Sequence, residues 1–181
     1  DLIRELDGCF SQFDEIILHN NLEKLKTIGD AYMCAGGLPV PNNTHAIDTC
    51  LAAMEFRSFM LQMGEIKKAL ELPFWELRIG IHTGPVTAGV IGNNKFAYDI
   101  CGDSVNTASR MESSGEKGEI NISGTTYEKI KDYFECDYRG KIKAKGKGEV
   151  DMYFLKRLKS EYSMDEDGLV PNSEFIKMRE N

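Results

Sequence analysis

The sequence predicts an α/β sandwich, with helices packed on a mixed, largely antiparallel sheet, and three observations carry that expectation. Strand-like and helix-like segments interleave along the 181 residues instead of falling into separate blocks. Two joints between strand-like segments, Gly29-Asp30 and Lys145-Gly146-Lys147-Gly148, are tight turns, which pair their strands antiparallel. The composition, 41% hydrophobic and 28% charged, is that of a globular domain long enough for one core and too short for two.

Each element follows from local pattern. Leu2, Leu6, Phe10, Phe13 and Ile17 recur at spacings of three and four, which predicts an amphipathic helix over residues 2–18, ended by Asn20 and Asn21. Residues 22–28 alternate as a half-buried strand, Gly29-Asp30 turns the chain, and residues 31–36 return as its partner. Thr44 is placed to cap a long helix reaching about Leu70, with Ile47, Leu51, Met54 and Met60 on its apolar face. The methionines Met54, Met60 and Met63 read as core filling. Residues 74–82 and 86–91 read as strands joined at Thr83-Gly84-Pro85, followed by a strand over about 96–101 and a helix over about 103–112. Shorter strand and helix signals lie at 119–122 and 124–131, and a hairpin pairs 138–144 with 150–155. From about Lys159 the chain is polar and acidic, so residues 1–158 are expected to form one domain and 159–181 a tail or linker.

Charge and cysteine content exclude several classes. Twenty-two basic against 29 acidic residues give a net charge of −7, the wrong balance for a nucleic-acid partner, although a few focused cations can still hold a triphosphate. Cys9, Cys34, Cys50, Cys101 and Cys136 are odd in number and show no CxxC spacing, so zinc is not expected and free thiols in a reducing cytoplasm are. No apolar run approaches the ~18 residues that cross a bilayer, and no secretory leader opens the chain. Any membrane attachment is expected through regions outside this chain. Neither a GxxxxGK[ST] nor a GxGxxG loop is present, which removes the P-loop and dinucleotide-binding readings.

Two segments carry chemistry. Lys26-Thr27-Ile28-Gly29-Asp30-Ala31-Tyr32-Met33 sets a carboxylate at a hairpin tip beside a glycine that admits close approach, although a plain turn has the same look. Tyr98-Asp99-Ile100-Cys101-Gly102-Asp103-Ser104-Val105-Asn106-Thr107-Ala108-Ser109-Arg110-Met111 puts Asn106 and Arg110 four apart on one helix face. An amide and a forked guanidinium could there grip one phosphate, or simply meet solvent.

These two segments, together with Arg78-Ile79-Gly80-Ile81-His82-Thr83-Gly84-Pro85 and the Lys-Gly-Lys-Gly hairpin, resemble the class III adenylyl (nucleotidyl) cyclases in order and spacing, from residue 1 to about 157. The resemblance implies a ferredoxin-like sheet with packed helices and a reaction in which the ribose 3′-hydroxyl of a nucleoside triphosphate attacks its own α-phosphate. It implies Mg²⁺ or Mn²⁺, two per site, between two aspartates, of which Asp30 matches the second. By position Asn106 matches the residue orienting the ribose and Arg110 the one stabilising charge at the α-phosphate. Arg78 and Lys145 match cations on the β- and γ-phosphates. Lys145 stands among Lys141, Lys143 and Lys147, so a plain surface lysine is the competing reading. His82 reads as structural.

The resemblance also bears on the base. Lys26 and Asp99 match the pair found in cyclases for ATP, and the hydrogen-bond pattern agrees. Lysine can donate to adenine N1 and aspartate can accept from the 6-amino group, while guanine reverses that edge. ATP is therefore the expected substrate, and the family's habit implies a head-to-tail homodimer with sites at the interface. The family's first metal aspartate lies in a strand ahead of the first helix, so upstream residues are expected in the parent protein. Two other readings stand beside this one: a catalytically silent cyclase-like domain that binds nucleotide or dimerises as a regulator, and an RNA-binding sheet, against which the acidic balance counts.

Overall fold

The computed structural model describes residues 2–90 and 98–180. The central piece is a four-stranded sheet of β3 (Ile79–Ile81), β6 (Ile120–Ser123), β8 (Gly148–Leu158) and β7 (Phe134–Ala144), in that spatial order. β3 and β6 run parallel, while β6–β8 and β8–β7 are antiparallel. Two antiparallel ribbons stand apart from it: β1 (Leu22–Ile28) with β2 (Ala31–Gly36), and β4 (Thr87–Val90) with β5 (Tyr98–Cys101). The expected mixed sheet is thus present in three pieces.

Helices α1 (Leu2–His19), α2 (His45–Ala69), α3 (Asp103–Ser113) and α4 (Gly124–Ile130) lie where helices were expected; of the stripe predicted on α1, Phe13 and Ile17 are buried and Leu2 is exposed. α2 supplies Cys50, Leu51 and Met54 to the main core, where they meet Ile120 and Ile122 of β6 and Leu155 and Leu158 of β8. A second cluster packs Phe13 and Ile17 of α1 on Phe56 of α2, with the Phe13 and Phe56 rings 4.5 Å apart. Thr44 precedes α2 as expected, but its hydroxyl donates to the Asp48 carboxylate (2.9 Å) and caps no backbone N–H. β7 and β8 are longer than their alternation indicated because two bulges, near Glu135 and at Arg139, interrupt the period without ending the pairing. At the first of these, Arg57 of α2 donates to the carbonyls of Leu155 and Lys156 (3.0 and 2.6 Å).

Two expectations are corrected. Residues 74–82 were expected as one strand, yet the strand is Ile79–Ile81, paired with Ile120–Ile122; before it the chain keeps one backbone bond, from the Gly118 N–H to the Leu77 carbonyl (2.7 Å), outside β6. Phe74 and Trp75 instead line an apolar groove against Met60 and Gly64 of α2. The expected strand over 96–101 is seen from Tyr98; its first two residues, and the end of the strand expected over 86–91, lie outside the described residues.

The second correction concerns the C-terminal segment. Residues 159–180 fold back on the domain through a 3-10 turn at Ser160–Tyr162 and α5 (Ser173–Glu180). Phe175 is fully buried among the rings of Tyr133, Tyr162 and Phe134. Arg179 donates to Asp48 near the start of α2 (Nε–Oδ1 2.7 Å), whose side chain is 1% exposed. Phe175, with Tyr162 and Met178 packed on the same core, the Leu158 N–H bond to the Gly168 carbonyl (2.9 Å) and the Arg179 ion pair, holds a segment whose average composition is that of a tail. Among the described residues, no helix is long and apolar enough to cross a membrane, and all five cysteines are free thiols. Burial pushes the Cys34 thiol up to about 12.

Candidate active site

α3 is the structural centre of the predicted chemistry. Gly102, at φ 128°, enters it from β5 in a conformation that side chains resist. Gly80 of β3 lies so close beneath the helix that a Cβ there would overlap the backbone of Met111 and Glu112. The far end is braced from the sheet. Buried Asn121 donates its amide to the Met111 carbonyl (2.8 Å), and Arg139 donates to the Ser114 carbonyl (3.0 Å) and to Asn121 Oδ1 (2.8 Å). Carbonyls at a helix C-terminus otherwise lack partners, so these two side chains define where α3 ends. Asn106 and Arg110 lie one turn apart along this held helix, Asn106 exposed and Arg110 half-buried.

The ribbons bring a second pair together. Lys26 of β1 donates from Nζ to Asp99 Oδ2 of β5 at 2.6 Å, although the residues are 73 apart in sequence. The Asp99 carboxylate also accepts from the Ile100 N–H (2.8 Å). Chiefly because of the Lys26 hydrogen bond, its pKa is held below the usual carboxylate range, so it is ionised and accepts only.

The remaining predicted residues are placed as follows. Asp30 is exposed at the β1–β2 tip, where Gly29 adopts φ 58°. Lys145 is exposed on the turn between β7 and β8. Arg78, just before β3, is engaged with Glu112 of α3 (Nε–Oε1 2.9 Å) and touches none of the other predicted residues. Among the described residues, the side chains of Asp30, Asn106, Arg110 and Lys145 make no hydrogen bond or ion pair. Four groups of the kind that would bind a phosphate or its counterion are therefore uncommitted.

Sequence reasoning missed several neighbours. Glu112 was not singled out, although it stands two residues past Arg110. Asn121 and Arg139 carry no local signal, because their role exists only once β6 and β7 lie beneath α3. His82 bonds through Nδ1 to Ser123 (2.8 Å), the residue that caps α4, in keeping with a structural role. Among the described residues no group of three or more His, Cys, Asp or Glu side chains could hold a metal ion.

Comparison with known proteins gives this arrangement a family. An adenylate cyclase of Mycobacterium tuberculosis is 41% identical over 158 residues, which cover 86% of this chain and 34% of that protein. Guanylyl cyclase C of Homo sapiens is 42% identical over 166 residues, 89% of this chain and 15% of that protein. This chain therefore spans about a third or less of the length of these relatives. The crystal structure of the adenylyl cyclase CyaB from P. aeruginosa matches with a TM-score of 0.80 at 31% identity, covering 88% of this chain and 84% of that one. Relatives named for either base match about equally well, so the likeness identifies the kind of domain and not the base. With the adenylate and guanylate cyclase catalytic domain model matching residues 1–157, the chain belongs to that family of class III nucleotide cyclases.

Proposed function

We propose that this chain is the catalytic core of an adenylate cyclase, converting ATP to 3′,5′-cyclic AMP and pyrophosphate at the interface of a head-to-tail homodimer. The observation that carries the choice of base is the Lys26–Asp99 pair, joined at 2.6 Å. Lys26 donates to adenine N1, and the ionised Asp99 accepts from the 6-amino group. Guanine would set its N1–H against the ammonium and its O6 against the carboxylate, leaving both protein groups unpaired.

In the reaction the ribose 3′-hydroxyl gives up its proton to solvent water as O3′ forms a bond to the α-phosphorus, the bond from that phosphorus to the bridging oxygen breaks, and pyrophosphate leaves with the electron pair. The nucleophile is tethered to its target, so the protein's task is to hold a bent substrate and neutralise developing charge. Asn106 orients the ribose, and Arg110 stabilises charge at the α-phosphate from a helix fixed at its far end by Asn121 and Arg139. Lys145 holds the outer phosphates. Arg78 joins it by exchanging its exposed contact with Glu112 for phosphate. The family's divalent ions would supply activation of the hydroxyl and a clamp on the triphosphate. Asp30 matches one of the two carboxylates that would hold them.

The test is cyclic nucleotide production by the full-length protein from ATP and GTP with Mn²⁺. A preference for ATP of at least ~10²-fold in kcat/KM is expected, reversed when Lys26→Glu and Asp99→Cys are combined. Turnover of GTP equal to that of ATP would refute the choice of base. Silence with both nucleotides from folded protein would favour the regulatory reading.

A further inference from the structure

The turn between β7 and β8 carries two lysines, and the structure gives them different surroundings. Lys145 is exposed and uncommitted. Lys147 is tucked beneath the turn, its side chain 18% exposed, with Nζ on Oδ1 of Asp103, the first residue of α3. The cause is local. Gly146 and Gly148 adopt φ of 76° and 74°, so the chain reverses tightly from Ala144, whose carbonyl accepts from the Lys147 N–H at 2.9 Å. Beneath the turn, Ala144 is buried with Met111 and Met152. The turn therefore grips α3 twice, at Asp103 through Lys147 and at Met111 through Ala144. These points are about 12 Å apart along the helix axis, and Asn106 and Arg110 lie between them.

We propose that Lys147 is a positioning residue of this active site: its ion pair with Asp103 fixes the Lys145–Gly148 turn on the start of α3, so that Lys145, Asn106 and Arg110 meet one ligand as a set. The inference rests on the cyclase reading of those three residues. Stability is not what the pair supplies. Asp103 is 80% exposed, and exposed ion pairs contribute little to folding. What it supplies is register between two elements that each bring a phosphate ligand, and misplacement by about 1 Å can cost 10²-fold in rate. The two lysines of the turn thus divide the work, one meeting substrate and the other holding the turn.

Four variants of the full-length protein test this: Lys147→Met, Lys147→Arg, Asp103→Lys, and Lys147→Asp combined with Asp103→Lys. With ATP and Mn²⁺, Lys147→Met is expected to lower kcat by ~10- to 100-fold while KM changes less than ~3-fold and the melting temperature stays within ~2 °C. Lys147→Arg is expected to keep most activity, and the reversed pair to recover at least ~10-fold over Asp103→Lys alone. Unchanged kcat in Lys147→Met, or a reversed pair no better than Asp103→Lys, would overturn the proposal. Amide hydrogen exchange gives a readout independent of turnover, with protection at residues 145–147 and 104–106 expected to fall in Lys147→Met. If wild-type protein makes no cyclic nucleotide, the cyclase reading fails, while unchanged exchange in Lys147→Met would show separately that the ion pair positions nothing.

Discussion

Replacing Arg179 with methionine should cost far more than a substitution in a polar segment ordinarily does. The Arg179 guanidinium bonds Asp48 Oδ1 through Nε at 2.7 Å and through Nη2 at 2.5 Å, while Thr44 bonds Oδ2 at 2.9 Å. With Arg179 gone, Thr44 still serves one carboxylate oxygen, but the other is left in a side chain only 1% exposed. Stranding a buried charge in this way costs about 3–5 kcal/mol when nothing relaxes. Fraying of α5 would admit water to Asp48 but gives up the burial of Phe175, worth roughly 1.5–3 kcal/mol. The cheaper route sets the expected loss at about 2–3 kcal/mol, or roughly 4–12 °C in Tm for a domain of this size. Urea titration of wild type, Arg179→Met, Asp48→Asn and the double variant measures it as a cycle. The double variant should lie closer to wild type than Arg179→Met does, since it removes the stranded charge. A loss below about 1 kcal/mol in Arg179→Met, or additive losses in the cycle, would refute the reasoning.

Three further outcomes follow from the same structure. Arg110→Ala should lower kcat by about 10²- to 10³-fold with little change in KM for ATP, because its contact strengthens as charge develops; steady-state kinetics checks this. Gly80→Ala should destabilise by about 1–3 kcal/mol or more, since the added methyl meets the α3 backbone and no flexible side chain can yield; thermal unfolding reads it. Burial, reinforced by Lys147 and opposed by Asp103, lowers the pKa of His82, which bonds Ser123. The unfolded chain therefore takes up a proton first on acidification, and stability present above about pH 6.5 should decline as pH falls through the lower folded value. Urea midpoints from pH 8 to 5 should show this decline flattened in His82→Gln.

The parts of the fold that rest on neighbouring residues were legible in the sequence. The spacing of Phe10, Phe13 and Ile17 places α1, and Gly29-Asp30 places the first ribbon, because period and turn chemistry are local properties. Docking of α5 was not legible: its tie joins residues 131 apart, and Phe175-Ile176 in a polar stretch is too short a pattern to mark a helix. The strand expected over 74–82 failed for a related reason, since alternation marks a strand-like segment but cannot say where its partner stops. At the site, the family resemblance pointed to Lys26, Asp99, Asn106 and Arg110, and the first two do meet. Which lysine of the 145–148 turn faces outward could not be read, because two glycines at positive φ break the alternation that would assign faces.

The contact between Lys26 and Asp99 has a consequence for how any ligand enters. These groups do not wait as open valences; each already answers the other across two separate ribbons. If a base binds there as proposed, binding is an exchange reaction, in which the visitor must offer an acceptor and a donor together before the existing bond is worth giving up. On the proposed reading every nucleotide would compete with the protein's own ion pair, and one that replaced only half of it would leave the site poorer than before. Affinity is moderated and discrimination sharpened by the same two side chains. Because they sit near solvent, added salt weakens the competitor along with the ligand's own charge contacts.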